Sequence, residues 1–559
     1  MTNYKLANIR KKELKLAQQR EEILKLDPEA AVDSLLSSLQ PATLIQSFPS
    51  QDLYFLMHSV GQEDFIPVLS LATSEQWEHI LDMDIWEDDK PDILSMTKAL
   101  SILFLADSKR LMRWVVKEKV DMLEYFFLKN MEIFIREHDD VPPDQDDFFT
   151  FDDKFYFRFP AAYENEAGKP AQELITKMLE TVAQMNLSVF HALLLETSTV
   201  LSPEVEEEQF RLKNVRLAEQ GFLPTHEAVG IYQPFSTLKL KKRLLLHAKQ
   251  NESYNPDIPT TSQYTSKLIK EDNLFASSLK AISPDLFFEL QIEFASLVNK
   301  VISADKTKIR EKEDIEKVIE KTCAYISVGI ERVDKENPES VIEKYLLEEI
   351  FRAGSSEILR IGNRVNQWHE NSFMHKNNLP LSFLDEKWLG IVGGLMLDRP
   401  LFYDSFSQGE SYRNFKSFQE ISDVSIEAEK IIETDKILTV FDIDIKSFTK
   451  GILTYKSFFL TLWAKSHLDL DTSLNPIPVK VFKEFFAALF SNKQESKIEN
   501  IKREDFILWV SKISKIERPE LSDAFVFVAN EMFDEIEEEY GSVNVDDLDL
   551  RLIRHFLLI

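Results

Sequence analysis

Apolar residues recur at helical spacing along most of this chain. From residue 3 to 26, Ile9, Leu16 and Ile23 fall seven apart, with Ala17 and Leu24 beside them. The alternate seam positions hold Glu13 and Arg20, so one helix is expected, lying across its own protein rather than pairing in a coiled coil. Asp27-Pro28 should end it. Residues 49–84 then repeat with a period of twelve. With Pro49, Gly61 and Thr73 as starts, Leu53, Phe65 and Trp77 align in the fifth place, Leu56, Val68 and Ile80 in the eighth, and Met57, Leu69 and Leu81 in the ninth. Leu44 and Ile45 belong to a partial unit before them. That spacing lines one face of a helix of about two turns, and Thr73 with Gln76 has the spacing of a capping box. A helix so short is not stable alone, so its apolar face must be covered by the next unit, as in a solenoid.

Three longer helices should follow, near 92–105, 109–117 and 119–137. In the last, Val120, Leu123, Phe127, Met131 and Phe134 form one stripe. The period then changes to two. Phe149 and Phe151 alternate with polar residues, Asp152-Asp153-Lys154 supplies a turn, and Phe155, Phe157 and Phe159 alternate again. That is a two-stranded hairpin with one aromatic face, which needs helices beneath it. Ser202-Pro203 opens a helix that Gly221 stops, with Phe222 folding back on Leu217. Residues 249–267, rich in Asn, Ser, Thr and Pro, have a linker composition. Ser283-Pro284 opens another helix, and 309–334 is long and amphipathic. Segment 402–425 is expected to be a loop whose aromatics, Tyr403, Phe406, Tyr412, Phe415 and Phe418, pack against the body. The apolar stretch Leu552–Ile559 should be docked.

These elements add up to a predominantly all-α chain: a short-helix superhelical repeat array, then larger helical domains, with one small β-hairpin. The divisions follow the pattern: an N-terminal helix at 1–27, the repeat domain at 28–140, and an acidic loop, hairpin and helices at 141–250. A linker at 251–270 separates these from helical domains at 271–435 and 436–559.

Composition sharpens this. Only 13 of 559 residues are Gly, against an average of about 7%, which disfavours folds built on tight phosphate-cradling turns. With 41 Phe, the cores should be aromatic. The net charge of −29 repels nucleic acid and anionic lipid. Two short basic clusters, Arg10-Lys11-Lys12 with Lys15 and Lys239 with Lys241-Lys242-Arg243, lack the interleaved aromatics of a single-strand platform and are expected to be solvated helix faces. One cysteine, Cys323, excludes an internal disulfide, and Ile315, Val318, Ile319, Ile326 and Ile330 around it predict a buried, inert thiol. The first 27 residues carry no apolar signal region, and no run of about 18 apolar residues occurs, so a cytoplasmic protein without membrane insertion is expected.

No catalytic motif emerges, so the catalytic residues are left unknown and no cofactor is assigned. His369-Glu370 is followed by His375 six residues after the first His, where a helical zinc site needs four. The acidic loop 139–153 carries Asp139, Asp140, Asp144, Asp146, Asp147, Asp152 and Asp153, but a calcium loop would place a Gly at its sharp turn and a Glu at its end, and neither is so placed. No metal ligand is therefore assigned. Asp82 with Asp84, and Asp442 with Asp444, are pairs that an acidic chain produces by chance. The expected function is protein interaction or scaffolding without catalysis, with a protein partner. The alternative is a divalent-ion-responsive regulator or an enzyme of unrecognised class.

The period-twelve segment resembles the cytoplasmic N domain of MgtE-type magnesium transporters and the short-helix superhelix of the flagellar switch protein FliG. In the transporters that domain helps sense magnesium beside a membrane domain, and no such domain is expected from this sequence. Over nearly its full length, the chain resembles an uncharacterised bacterial family of unknown function. Phe148 to Phe159, Asn214 to Phe222, and Leu379-Pro380-Leu381-Ser382-Phe383-Leu384 followed by Arg399-Pro400-Leu401 carry that resemblance, which implies a shared architecture and no particular activity.

Overall fold

Helices account for most of the chain in a computed structural model, and the strands among the described residues form three small antiparallel ladders, so the protein is predominantly all-α. The structure describes residues 2–137, 148–160, 169–197, 202–237, 264–270, 272–405, 410–441, 443, 453–490, 497–549 and 551–559. They fall into two compact units: residues 1–326 with 336–352, and residues 327–335 with 353–559.

The first unit opens on the helix Thr2–Ile23. The two charged seam residues of that helix answer each other, Arg20 donating to Glu13 at 3.1 Å. Asp27 stands at the N-cap of the next helix without a side-chain capping bond, and Pro28 lies in its first turn. All nine aligned positions of the period-twelve segment are buried, none exposed by more than 4%. The helices are Ser50–Val60, Ile66–Leu69 and Ser74–Asp84, so the middle one is a single turn rather than the expected two. Pro67 lies in its first turn, where a missing amide costs no helical bond, and one turn is too short to propagate alone. The Thr73–Gln76 capping box forms, with bonds of 3.1 and 2.8 Å.

Two of the three longer helices are merged as Ile93–Glu118, broken at Asp107, whose extended backbone (φ −162°, ψ 93°) lets its side chain cap the amide of Arg110 at 2.9 Å. The helix expected to reach residue 137 stops at Asn130. Glu132–Ile135 is instead a strand on Phe155–Arg158, which also pairs with Phe149–Thr150 and so lies in the middle of a three-stranded ladder. Pairing covers an edge that a hairpin alone would leave open, and this outweighs the helical stripe ending in Phe134. Nor is only one face covered: Tyr156 is buried along with Phe155 and Phe157.

The helix Ser202–Ala218 ends as its sequence suggests. Gly221 takes φ +87°, its amide bonds to Ala218 and that of Phe222 to Leu217, both at 3.0 Å. A Cβ on Gly221 would meet the Ser296 backbone at 3.2 Å, a second reason for glycine there. Ser283 stands at the N-cap of Pro284–Asp305 without a side-chain capping bond, and Cys323 is buried in Lys312–Asp334 with all five isoleucine and valine neighbours named above.

The second unit has the aromatic core its composition promised. Trp463 meets Phe485, Phe506 and Phe533 edge-on at 5.4, 5.5 and 5.4 Å, the arrangement that aromatic quadrupoles favour. Segment 402–425 is no simple loop: Phe402–Tyr403 pairs with Tyr412–Arg413, and a helix, Phe418–Thr439, starts within it. Its aromatics do pack on the body, Phe415 being fully buried, while Phe406 lies outside the described residues. The helix Asp385–Leu395 receives the ladder on a glycine face. A Cβ on Gly390 would stand 2.5 Å from the Tyr403 ring, and one on Gly394 would stand 2.6 Å from the Leu401 carbonyl.

Candidate functional site

A cleft of about 1190 Å³ lies within the second unit. Its walls come from Asp385–Leu395, the strand pair at 402–405, Phe418–Thr439, the start of the helix Tyr455–His467, the helix Asp523–Tyr540 and the segment 551–558.

At its floor a local rule is broken and then repaired. Thr454 and Ser457 form a capping box, bonds of 3.1 and 2.9 Å, which starts the helix and puts Lys456 in its first turn. The positive end of the helix dipole disfavours a cation there. Two carboxylates compensate: Asp385 and Glu535 each reach the Lys456 ammonium at 2.5 Å. Burial pulls the Lys456 ammonium toward neutrality, but bonds to both carboxylates outweigh it and hold its pKa above the ordinary lysine value. The same pairing holds Asp385 below the usual carboxylate range against its own burial. Glu535 is likewise held low, burial being overcome by His555 and Lys456. Asp385 also has φ +66°, a backbone state that side-chain-bearing residues avoid, and such strain concentrates at functional sites.

His555 extends the network. Its Nε2 lies 3.2 Å from Glu535 and its Nδ1 3.0 Å from the Tyr540 hydroxyl, with Glu539 at 3.5 Å. The Tyr540 oxygen accepts the Arg554 amide at 3.1 Å, and its hydroxyl also bonds Glu539. Burial pushes the Tyr540 hydroxyl pKa up, so it stays protonated. The segment carrying His555 is fixed from the other side: the Leu557 amide donates to Thr461 at 2.8 Å, and the Ile477 amide donates to the Leu557 carbonyl at 2.8 Å.

A second cluster of the cleft lining is built around Glu427. It accepts from the Trp388 indole at 3.1 Å and from Lys430 at 3.0 Å, with Lys387 at 3.2 Å. Burial raises its carboxyl pKa, and Lys430, Lys387 and Trp388 together bring it below normal. Trp388 stacks on Tyr455 at 4.4 Å and 14°, and burial lifts the Tyr455 hydroxyl far above its usual value. Seven carboxylates line the cleft against four lysine or arginine side chains. Two of the carboxylates, Glu386 and Asp423, are exposed and make no ion pair among the described residues, while Leu389, Ile391, Val424, Pro476 and Ile553 supply apolar wall.

Tyr403, Ser382 and residues 553–558, named from the sequence for packing or resemblance, line this cleft, but none of the candidate ligand or carboxylate-pair residues lies here. His369 and His375 stand 5.4 Å apart between ring centres, and no group of three potential ligands surrounds any point among the described residues. Asp82 is held by Arg216 through two bonds of 2.7 Å, whereas Asp84 accepts from Tyr54 at 2.7 Å and Gln62 at 3.2 Å. They are structural and serve different partners. Asp442 and Asp444, Lys239 through Arg243, and Asp139, Asp140, Asp144, Asp146 and Asp147 lie outside the described residues. Asp152 accepts the amides of Lys154 and Phe155 at 3.0 Å and meets His191 at 2.5 Å, and Asp153 pairs with Arg136 at 2.9 Å. Burial pushes the Cys323 thiol pKa up, away from reactivity. Asp385, Lys456, Glu535 and His555 carry no shared spacing. The available signals were local ones: a lysine directly after a cap in a Phe-rich helix, and a histidine inside an apolar tail.

Among the described residues no helix is long and apolar enough to cross a membrane. No curated protein and no solved structure matches the chain. Its sequence matches the profile of a family of unknown function, DUF6178, over residues 8–559. The chain belongs to that family.

Proposed function

We propose that this is a protein-interaction protein whose cleft in the second unit takes a basic, partly apolar segment of a partner. The observation that carries the reading is the excess of carboxylates over cations along the cleft, with Glu386 and Asp423 exposed and lacking an ion-pair partner among the described residues. A concave surface with an excess of one sign focuses its field and draws in the opposite charge. The size supports a peptide: at about 1190 Å³ the cleft exceeds the ~300–1,000 Å³ typical of small-ligand sites. Titratable groups do converge on the floor, the arrangement an enzyme would need. Yet Lys456, Asp385, Glu535 and His555 satisfy one another, which suits a rigid binding surface better than a free nucleophile or base. A single buried cysteine fits a reducing compartment, and we infer a cytoplasmic setting on that ground.

The test is fluorescence anisotropy of the full chain with a labelled nonapeptide alternating lysine and leucine, beside its glutamate–leucine counterpart. The basic peptide should bind saturably and weaken as salt rises. Glu386→Lys with Asp423→Lys, both exposed and so tolerated by the fold, should weaken it about tenfold, equivalent to about 1.4 kcal/mol. Equal binding of the acidic peptide, or indifference to the double reversal, would overturn the reading.

A further inference from the structure

A second concavity in the same unit has a different chemistry. It holds about 260 Å³, lies away from the cleft residues described above, and is lined by Trp463, His467, Leu468, Glu484, Phe485, Ala488, Leu489 and Lys502. Its floor is rigid. Trp463 and His467 meet at 5.1 Å and 84°, and Phe485 closes on both at 5.4 and 5.9 Å. Asp505 holds the pair from behind, accepting from the Trp463 indole at 3.2 Å and lying 2.8 Å from His467 Nε2. That contact assigns the Nε2–H to the carboxylate and leaves Nδ1 of the neutral ring as an acceptor.

Two opposite charges line this pocket from different helices, Glu484 on Val479–Leu489 and Lys502 on Asn500–Ser514. They do not pair with each other, and neither makes an ion pair among the described residues. Glu484, exposed, and Lys502, half-buried, line one small pocket together with Leu468, Phe485 and Leu489, a set that can answer both charges of a zwitterion and its apolar part.

We propose that this pocket binds a free α-amino acid with an apolar side chain. Its ammonium group is met by Glu484, its carboxylate by Lys502, and its side chain rests against Leu468, Leu489 and the face of Phe485. The size fits: the pocket falls just under the ~300 Å³ lower bound for drug-sized ligands, leaving room for a smaller molecule. The charged groups supply specificity, because a ligand lacking either charge leaves one of them unanswered.

Isothermal titration of the full chain with L-leucine, L-methionine and L-phenylalanine tests this, with leucinamide and N-acetyl-leucine as probes that each lack one charge. The expected result is saturable binding of at least one amino acid, weakened about tenfold or more for both blocked probes. Glu484→Gln should lose the amino acid while binding N-acetyl-leucine no worse than the native chain does, and Lys502→Gln should behave the same way toward leucinamide. Circular dichroism and melting of both variants should match the parent, since neither residue is in the core. No saturable heat with any of the three amino acids would overturn the proposal. So would binding that the two substitutions leave unchanged.

Discussion

Replacing Lys456 by Met keeps most of the aliphatic stem and removes only the ammonium that holds Asp385 and Glu535 together. Breaking a buried ion pair from one side costs about 3–5 kcal/mol, because the remaining charges stay uncompensated. Here the lysine side chain is 12% exposed but its carboxylate partners are 38% and 40% exposed, so solvent screens much of the loss. About 2 kcal/mol is expected near neutrality. The pH dependence identifies the cause. In the native chain Asp385 and Glu535 have lowered pKa values, so their contribution is present above the ordinary carboxylate values of 3.8 and 4.5 and is lost as pH falls through their folded values. Lys456 has a raised pKa, so its contribution is present below 10.5 and is lost as pH rises through its folded value. The three together stabilise a plateau between about pH 5 and 10. Without the ammonium, Asp385 loses the main counterweight to its burial while Glu535 keeps His555, so the Asp385 carboxyl should rise and the variant should recover part of the lost stability as pH falls from 7 toward 4.5. Scanning calorimetry on both chains, following the transition of the second unit, measures the difference. A loss below about 0.5 kcal/mol, or one of equal size at pH 7 and 4.5, would refute the reasoning.

Other substitutions probe other links. Trp77→Ala removes a fully buried ring whose indole donates to the Leu69 carbonyl at 2.9 Å and carries Arg110 at 4.1 Å, and should cost about 3–5 kcal/mol in chemical denaturation. A cost under half a kilocalorie would remove the period-twelve face from the core. Gly390→Ala should cost about 1–3 kcal/mol by overpacking against Tyr403, and Tyr403→Leu in the same chain should return part of it. Strict additivity of the two would argue against that contact. Cys323 should resist iodoacetamide in the native chain and react fully in urea, since burial raises the thiol pKa and blocks access. Fast native labelling would contradict its placement.

The elements that the sequence disclosed are those decided by neighbours in the chain. The Thr73–Gln76 box, the Gly221 stop with Phe222 on Leu217, and the buried face of Lys312–Asp334 each follow from residues within a turn or two of one another. Glu132–Ile135 was misjudged for the opposite reason. Its helical stripe is genuine, but the strand Phe155–Arg158, over twenty residues away, offers it a ladder. The ladder at 402–413 was missed because its register depends on a glycine face presented by another helix. The cleft is less legible still. Lys456 stands 71 residues after Asp385, Glu535 another 79 after Lys456, and His555 20 beyond that, so only the tertiary fold brings them into one network. What the sequence did show was the acidity of the chain, and the cleft shares that acidity.

Hydrogen–deuterium exchange of the full chain, with and without the alternating lysine–leucine peptide, tests the central claim most directly because it reports where binding occurs. The cleft reading predicts slowed exchange in segments covering 382–391, 402–405 and 551–558, absent when Glu386→Lys and Asp423→Lys are both present. Protection confined to other segments, or no protection at a saturating peptide concentration, would contradict it.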